Sequence, residues 1–202
     1  MPWIDAIPYD QAEGPLKTIY DRVKGPGNKV DNILAMHSLR PHTLEGHMTL
    51  YKNVLHNSNN TVPKWFLETV GVWVSALNHC SYCVDHHFAG LKRLLKDDAR
   101  SDEIRAAIIG RAISRAPLDD AQKEALRYAE ILTLAPKNLV QADVQKLREL
   151  GYSDGEILEI NQVAAYFNYA NRTVLGLGCS TDGETLGLSP NDSSKPDDWN
   201  HG

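Results

Sequence analysis

The sequence lacks the features that would let it cross a membrane, be stapled by disulfides or grip a polyanion. Its 202 residues contain no run of about eighteen apolar residues, so no transmembrane helix is expected. Met1-Pro2-Trp3-Ile4-Asp5 has no basic stretch followed by an apolar one, so no secretory leader is expected. The three cysteines are too few for a disulfide framework. No basic run offsets the net charge of −5, which argues against nucleic acid as the main partner. Alternating apolar and polar stretches are missing, as are Asn-Gly or Asp-Gly turns between apolar runs, so no strands are expected.

What is present reads as one globular helical domain. Hydrophobic residues make up 42% and charged residues 23%, enough for a packed core in a chain of this size. The charge is uneven: residues 180–202 carry five acids and one base, so all but one unit of the net charge lies there. The sequence therefore divides into a helical domain over 1–179 and an acidic, irregular tail over 180–202. Within the domain, 1–60 reads as an N-terminal helical arm and 61–179 as the core. Trp199 is the one residue of the tail suited to anchor it.

The helical spacing can be followed element by element. Pro15 opens a helix that carries Leu16, Ile19, Tyr20 and Val23 on one face and ends at Gly25-Pro26. A short apolar turn or helix follows over 32–39, then a helix over 41–56 and a loop over 57–60. Pro63 precedes a strongly apolar helix, residues 65–77, and an interruption at 78–81 precedes another, residues 82–95. Ser101, Asp102 and Glu103 read as the capped first turn of the next helix, which ends near Pro117. Asp119 starts another, residues 141–150 form an amphipathic one that stops at Gly151, and Ser153 with Glu156 forms a capping box for a helix reaching Leu177. Residues 163–170 of that last helix are apolar on nearly every side, which calls for burial in the core or against another subunit. Leu67-Glu68 and Leu158-Glu159 start similar helices, each reaching an asparagine (Asn78, Asn168) about ten residues on, a faint hint of repetition.

The chemistry gathers around Glu68, Cys80, Cys83 and His87. In a reducing compartment a CxxC pair points to redox chemistry, metal binding or a structural role. Residues three, four and seven apart share a helix face, so Cys80, Cys83 and His87 fall together. An imidazole four residues from a thiol can take its proton or stabilise its thiolate. The break near Asn78 puts Cys80 at the start of the new helix, where free N–H groups favour a thiolate. Glu68, about 18 Å from Cys80 on a straight helix, can meet His87 only if the chain turns back there. Tyr82, between the cysteines, and His86, about 100° around the helix from His87, read as supporting residues that pack or line the rim. His79 reads as a cap or neighbour contact, and Cys179 as an inert thiol.

Glutamate, eleven residues, CxxC, three residues and histidine together resemble the core motif of the AhpD-like alkylhydroperoxidases of the carboxymuconolactone decarboxylase superfamily. The flanks Val74-Ser75-Ala76-Leu77-Asn78 and His86-His87, the leading Gly14-Pro15-Leu16 with Ile19-Tyr20-Asp21, and Tyr166-Phe167-Asn168 with Asn171-Arg172 resemble the peroxidase-related branch. The resemblance implies an all-α, AhpD-like helical bundle that assembles as a dimer, trimer or hexamer. It implies peroxide reduction in which Cys83 attacks, Cys80 resolves, and His87 and Glu68 relay a proton. Tyr82 departs from the pattern, which has a histidine there.

The division of labour between the thiols also follows from spacing. His87 is one helical turn from Cys83 and two from Cys80. The helix dipole favours Cys80, but by roughly 0.3–1 kcal/mol, against roughly 1.5–3 kcal/mol for a charge-assisted hydrogen bond. Cys83 is therefore expected to attack. The expected partners are a small peroxide, an external dithiol such as a lipoyl or thioredoxin-like donor, and further copies of the chain, with no cofactor and a cytoplasmic location. Two other readings are metal binding by Cys80, Cys83 and His87 with His86 or water as fourth ligand, and a non-redox, lactone-decarboxylase-like role. The first lacks ligands from a second segment, and the second has no use for two thiols.

Overall fold

A computed structural model describes residues 2–201 and, among them, nine α-helices and no β-strand. No helix among the described residues is long and apolar enough to cross a membrane. The helices are α1 (Gly14–Val23), α2 (Asn32–Ala35), α3 (Pro41–Leu55), α4 (Lys64–Leu77), α5 (Ser81–Leu95), α6 (Asp98–Ile109), α7 (Asp120–Leu134), α8 (Gln141–Glu149) and α9 (Asp154–Leu177).

The most apolar segment becomes the axis. α4 packs most closely on α5, then on α9 and α7, and every residue from Phe66 through Ser75 is buried. A helix apolar on all sides is stable only where other helices cover all of it. α9 lies alongside, with Val163, Ala164, Tyr166, Phe167 and Ala170 turned into the same core. One chain thus buries most of both apolar segments itself. What α9 leaves outside is Leu158, Tyr169 and Leu175.

The helix boundaries follow local chemistry. Pro15 and Pro41 stand in the first turns of α1 and α3. Capping boxes open α7, through Asp119 and Gln122, and α9, through Ser153 and Glu156. The start of α6 departs from the sequence reading: Asp97 is the cap, its side chain accepting from the Arg100 N–H. Ser101 lies inside the helix, where its hydroxyl donates back to the Asp97 carbonyl and is buried.

The two segments of the faint repeat meet in space. The Asn78 side-chain amide donates to Asn168 Oδ1 at 3.0 Å and Asn171 Oδ1 at 2.9 Å, tying the end of α4 to α9. Glu159 instead caps the approach to α4, accepting from the N–H groups of Thr61 and Val62.

Residues 180–201 contain no helix and pack along the domain. Trp199 is buried, its ring 3.7 Å from the Arg22 guanidinium, so it anchors the tail as its composition suggested. The tail also passes over α5, which brings it to the residues that carry the chemistry.

Candidate active site

The turn between α4 and α5 builds the site. His79 adopts left-handed backbone geometry with φ of 59°, and the N–H groups of His79 and Cys80 return to the carbonyls of Ala76 and Ser75. These bonds satisfy the last carbonyls of α4. Cys80 is at once the residue that closes α4 and the N-cap of α5. Arg111 donates to the His79 ring at 3.2 Å, the neighbour contact expected of that histidine.

The chain turns back, and Glu68 meets His87. Glu68 Oε2 lies 2.7 Å from His87 Nδ1, the carboxylate fully buried and the ring side chain 14% exposed. Gly90 makes this approach possible, because a Cβ there would sit 3.0 Å from Glu68 Oε1. The other carboxylate oxygen points toward His56, with Nε2 3.9 Å away. Phe167 stands edge-on to the His87 ring at 4.5 Å. Tyr51 contacts the rings of His56 and His87 edge-on and stacks on Tyr166 at 5.4 Å.

Burial sets the protonation of these neighbours. His56 is held well below the usual imidazole range by desolvation and then by the nearby His87 charge. His47 is pushed down to about 3, again by burial and then by His37. Both are neutral rings at physiological pH. The Tyr51 and Tyr166 phenols are raised well above 10 by burial, so both remain hydroxyl groups.

Cys83 and Cys80 are free thiols and both are buried. They pack with Met36, Tyr82 and Val174 in a small apolar cluster. The hydrogen bond from Cys83 holds the Cys80 thiol below its ordinary value, while the same pairing and burial push Cys83 well up. In the reduced pair the first thiolate therefore belongs to Cys80, at the helix N-terminus, with Cys83 S–H donating to it. Among the described residues no hydrogen bond joins His87 to the Cys83 sulfur; the ring turns its Nδ1 to Glu68 instead. The half-buried Cys179 is raised to about 12 by burial, in keeping with an inert thiol.

The two cysteines border different spaces. Cys83, His87 and Glu68 line a cavity of about 40 Å³, room for a few water-sized molecules. Cys80, itself without exposed surface, borders a separate groove of about 350 Å³ beside His79, Arg105 and Arg111. Cys80, Cys83, His86 and His87 do not form a ligand set: among the described residues no group of three or more His, Cys, Asp or Glu is arranged to hold a metal ion.

Tyr82 and His86 take part through the tail. Glu184 accepts from the Tyr82 hydroxyl at 2.9 Å and lies 2.9 Å from His86 Nε2, and it also accepts the Asn32 N–H. His201 reaches the cavity wall beside Asp31. Burial lowers His201 to about 4, and burial with the Glu184 charge raises Asp31 to about 6. Sequence reasoning missed Glu184 and His201, because an acidic, irregular tail reads as solvated. It also missed His47, Tyr51 and His56 on or next to α3. The one signal for those was a helix carrying histidine and tyrosine at 47, 51 and 56 amid apolar residues.

No family model and no curated protein matches the sequence. Solved structures do match the fold. A peroxidase-related protein from Ralstonia eutropha, described as an alkylhydroperoxidase AhpD core, superposes with a TM-score of 0.77 at 21% identity, covering 89% of this chain and 91% of that one. A peroxidase-related protein from a Silicibacter species gives 0.71 at 24% identity, covering 89% and 88%. A cysteine-to-alanine variant of a debrominase in complex with 2,3,4-tribromopyrrole gives 0.67 at 15% identity, covering 90% and 91%. The chain has the AhpD-like all-helical fold.

Proposed function

We propose that the protein is a thiol-dependent peroxidase working through Cys83 and Cys80, with His87 and Glu68 as its proton relay. The observation that carries this reading is the cavity that Cys83 shares with His87 and Glu68. A peroxide in that space meets a sulfur on one side and an oriented imidazole on the other.

The chemistry starts from Cys80 thiolate, Cys83 thiol and His87 imidazolium. The Cys83 proton passes along its hydrogen bond to Cys80, so the thiolate moves to the cavity side. Cys83 sulfur attacks one peroxide oxygen and the O–O bond breaks. The leaving oxygen takes its proton from His87 and departs as water. Glu68 fixes the ring orientation and stabilises the imidazolium that donates. The Cys80 thiol then condenses with the Cys83 sulfenic acid, giving a disulfide and a second water. An external dithiol, of lipoyl or thioredoxin-like type, reduces the disulfide and is itself oxidised.

Cytoplasmic operation follows from the need for reduced thiols. The likeness to a debrominase raises dehalogenation as a rival, but a tribrominated ring exceeds a 40 Å³ space. Assembly with further copies of the chain belongs to the same proposal. It is supported by the apolar side chains that α9 leaves exposed. The test is peroxide-dependent oxidation of dithiothreitol by the purified protein and by Cys83→Ser. Turnover by the first and none by the second supports the reading, and equal rates refute it.

A further inference from the structure

The tail does more than cover the surface. Residues 184–189 form a strap held by three side chains of α5, the helix that starts at the cysteines. Tyr82 and His86 hold Glu184, while Arg93 donates to the Gly187 carbonyl at 2.6 Å and to Ser189 Oγ at 2.7 Å. Gly187 has φ of 80° and lies so close to α5 that a Cβ would come within 2.9 Å of the Ala89 side chain and 3.2 Å of backbone. Only glycine meets both conditions without strain. Gly187, Leu188 and Ser189 thereby become one wall of the cavity that holds Cys83.

The opposite walls belong to the core. Leu34, Tyr51, Tyr166 and Ala170 come from α2, α3 and α9 and lie against the cavity. Those side chains are fixed by packing on all sides, as core residues are. The strap has no secondary structure, and its hold on the domain runs through a few polar contacts and one glycine. It is therefore, with His201 from the same tail, the part of the wall whose side chains can set the size of the space without rebuilding the core.

Building on the peroxidase reading, we infer that residues 187–189 are the size-determining wall of the Cys83 cavity and that the substrate is hydrogen peroxide or a peroxide of comparable size. A cavity of about 40 Å³ has room for a few water-sized molecules, well short of the roughly 150 Å³ of a cavity that takes a benzene ring. An aryl hydroperoxide brings a ring larger than the space that Leu188 and its neighbours leave beside Cys83. Glu184 is the positioning residue of this wall: it fixes the strap to the turn of α5 that carries Cys83.

The experiment compares kcat/KM for hydrogen peroxide and for cumene hydroperoxide in the full-length protein, Leu188→Ala and Gly187→Ala. The first variant trims the wall, and the second lifts the strap off α5. Hydrogen peroxide should be preferred by roughly 100-fold in the unaltered protein, and the preference should fall by roughly tenfold in either variant. In parallel, mass spectrometry follows labelling of Cys83 by methyl methanethiosulfonate, which is small, and N-phenylmaleimide, which is bulky. The small reagent should label faster, and both variants should raise the relative rate of the bulky one. Equal labelling by the two reagents in the unaltered protein, or no gain for the bulky reagent in both variants, overturns the size filter whatever the catalytic result. Absence of turnover with either peroxide overturns the peroxidase reading and the substrate assignment, while the labelling ratios still decide the role of the strap.

Discussion

Glu68 and His87 lie 2.7 Å apart across nineteen residues of sequence, on two helices that the left-handed turn at His79 folds against each other. The carboxylate is sealed from water, with a neutral His56 on its other side, so its charge is directed at the His87 ring. His87→Ala should lower kcat/KM for peroxide by roughly 10²-fold or more, the usual yield of a positioned acid or base. Glu68→Gln keeps the shape but loses the charge, and should fall between that variant and the unaltered protein. Initial rates alongside circular dichroism check both. A Glu68→Gln variant with full activity would remove Glu68 from the relay.

The coupled thiols give opposite expectations for charge and for attack. Cys83 lowers Cys80, so replacing it by a residue that cannot donate should raise the Cys80 titration. Thiolate absorbance measured against pH should therefore move upward in Cys83→Ala. Attack is expected at the cavity, so Cys80→Ser treated with peroxide should accumulate sulfenic acid at Cys83, and Cys83→Ser should form none. Sulfenic acid found on Cys80 in Cys83→Ser would reverse the roles and detach His87 from the nucleophile.

The legible part of this molecule is the part built from local rules. The helix starts at Pro15, Asp119 and Ser153 come from proline and capping chemistry within one turn, and the structure has them there. Glu68, Cys80, Cys83 and His87 were legible because two adjacent helices and one break hold them all. His47, Tyr51, His56 and Tyr166 converge only through packing of α3 and α9 on α4, which no local spacing encodes. Glu184 lies 102 residues from Tyr82, on a segment with no periodicity, and its side chain looks like any solvated acid until the tail is docked. Of the two places the all-round apolar run 163–170 could be buried, the core of the chain itself takes most of it, Val163, Ala164, Tyr166, Phe167 and Ala170, because helices distant in sequence close around α9.

The buried His47 ties stability to pH. Its folded value is about 3 against an ordinary 6.5, so the unfolded chain binds the extra proton first as pH falls. The stability is fully present above pH 6.5 and is lost progressively as pH falls toward 3. At pH 5 the loss from this one ring is about 2 kcal/mol. His47→Phe should flatten the dependence of urea-unfolding free energy on pH between 7 and 5 by about that amount. An unchanged slope would place the acid sensitivity elsewhere.

Light scattering tests the assembly. Leu158, Tyr169 and Leu175 are 55%, 41% and 43% exposed on α9, the helix whose other face fills the core. The protein at micromolar concentration should have a mass that is a multiple of the 22.5 kDa chain. Leu158→Glu with Tyr169→Glu should shift it toward one chain with the helical content kept. A single-chain mass for the unaltered protein refutes the assembly.

The tail is fastened at its far end as well as at the strap, and Lys52 is the fastening inside the domain. Its ammonium donates to the His56 carbonyl at 2.9 Å and to the Asn191 carbonyl, with no exposed surface. The first of these bonds closes the end of α3 beside the site, and the second holds the chain that leads from the strap to Trp199. Burial lowers the Lys52 amine, and the carboxylates of Asp198 and Asp192 oppose that shift. Lys52→Met preserves the stem and removes the donor, leaving two carbonyls without it, at a cost of roughly 1–3 kcal/mol. For a domain of this size that lowers Tm by roughly 2–4 °C per kcal/mol. Arg22→Ala, which removes the guanidinium over Trp199 and its bond to the Asp197 carbonyl, loosens the same tail from outside. Limited proteolysis should cut between α9 and Trp199 faster in each variant than in the unaltered protein, and fastest in the double variant. If Lys52→Met lowers Tm while the tail stays as resistant as before, Lys52 serves only to close α3, and the tail is held from Arg22 and the strap alone.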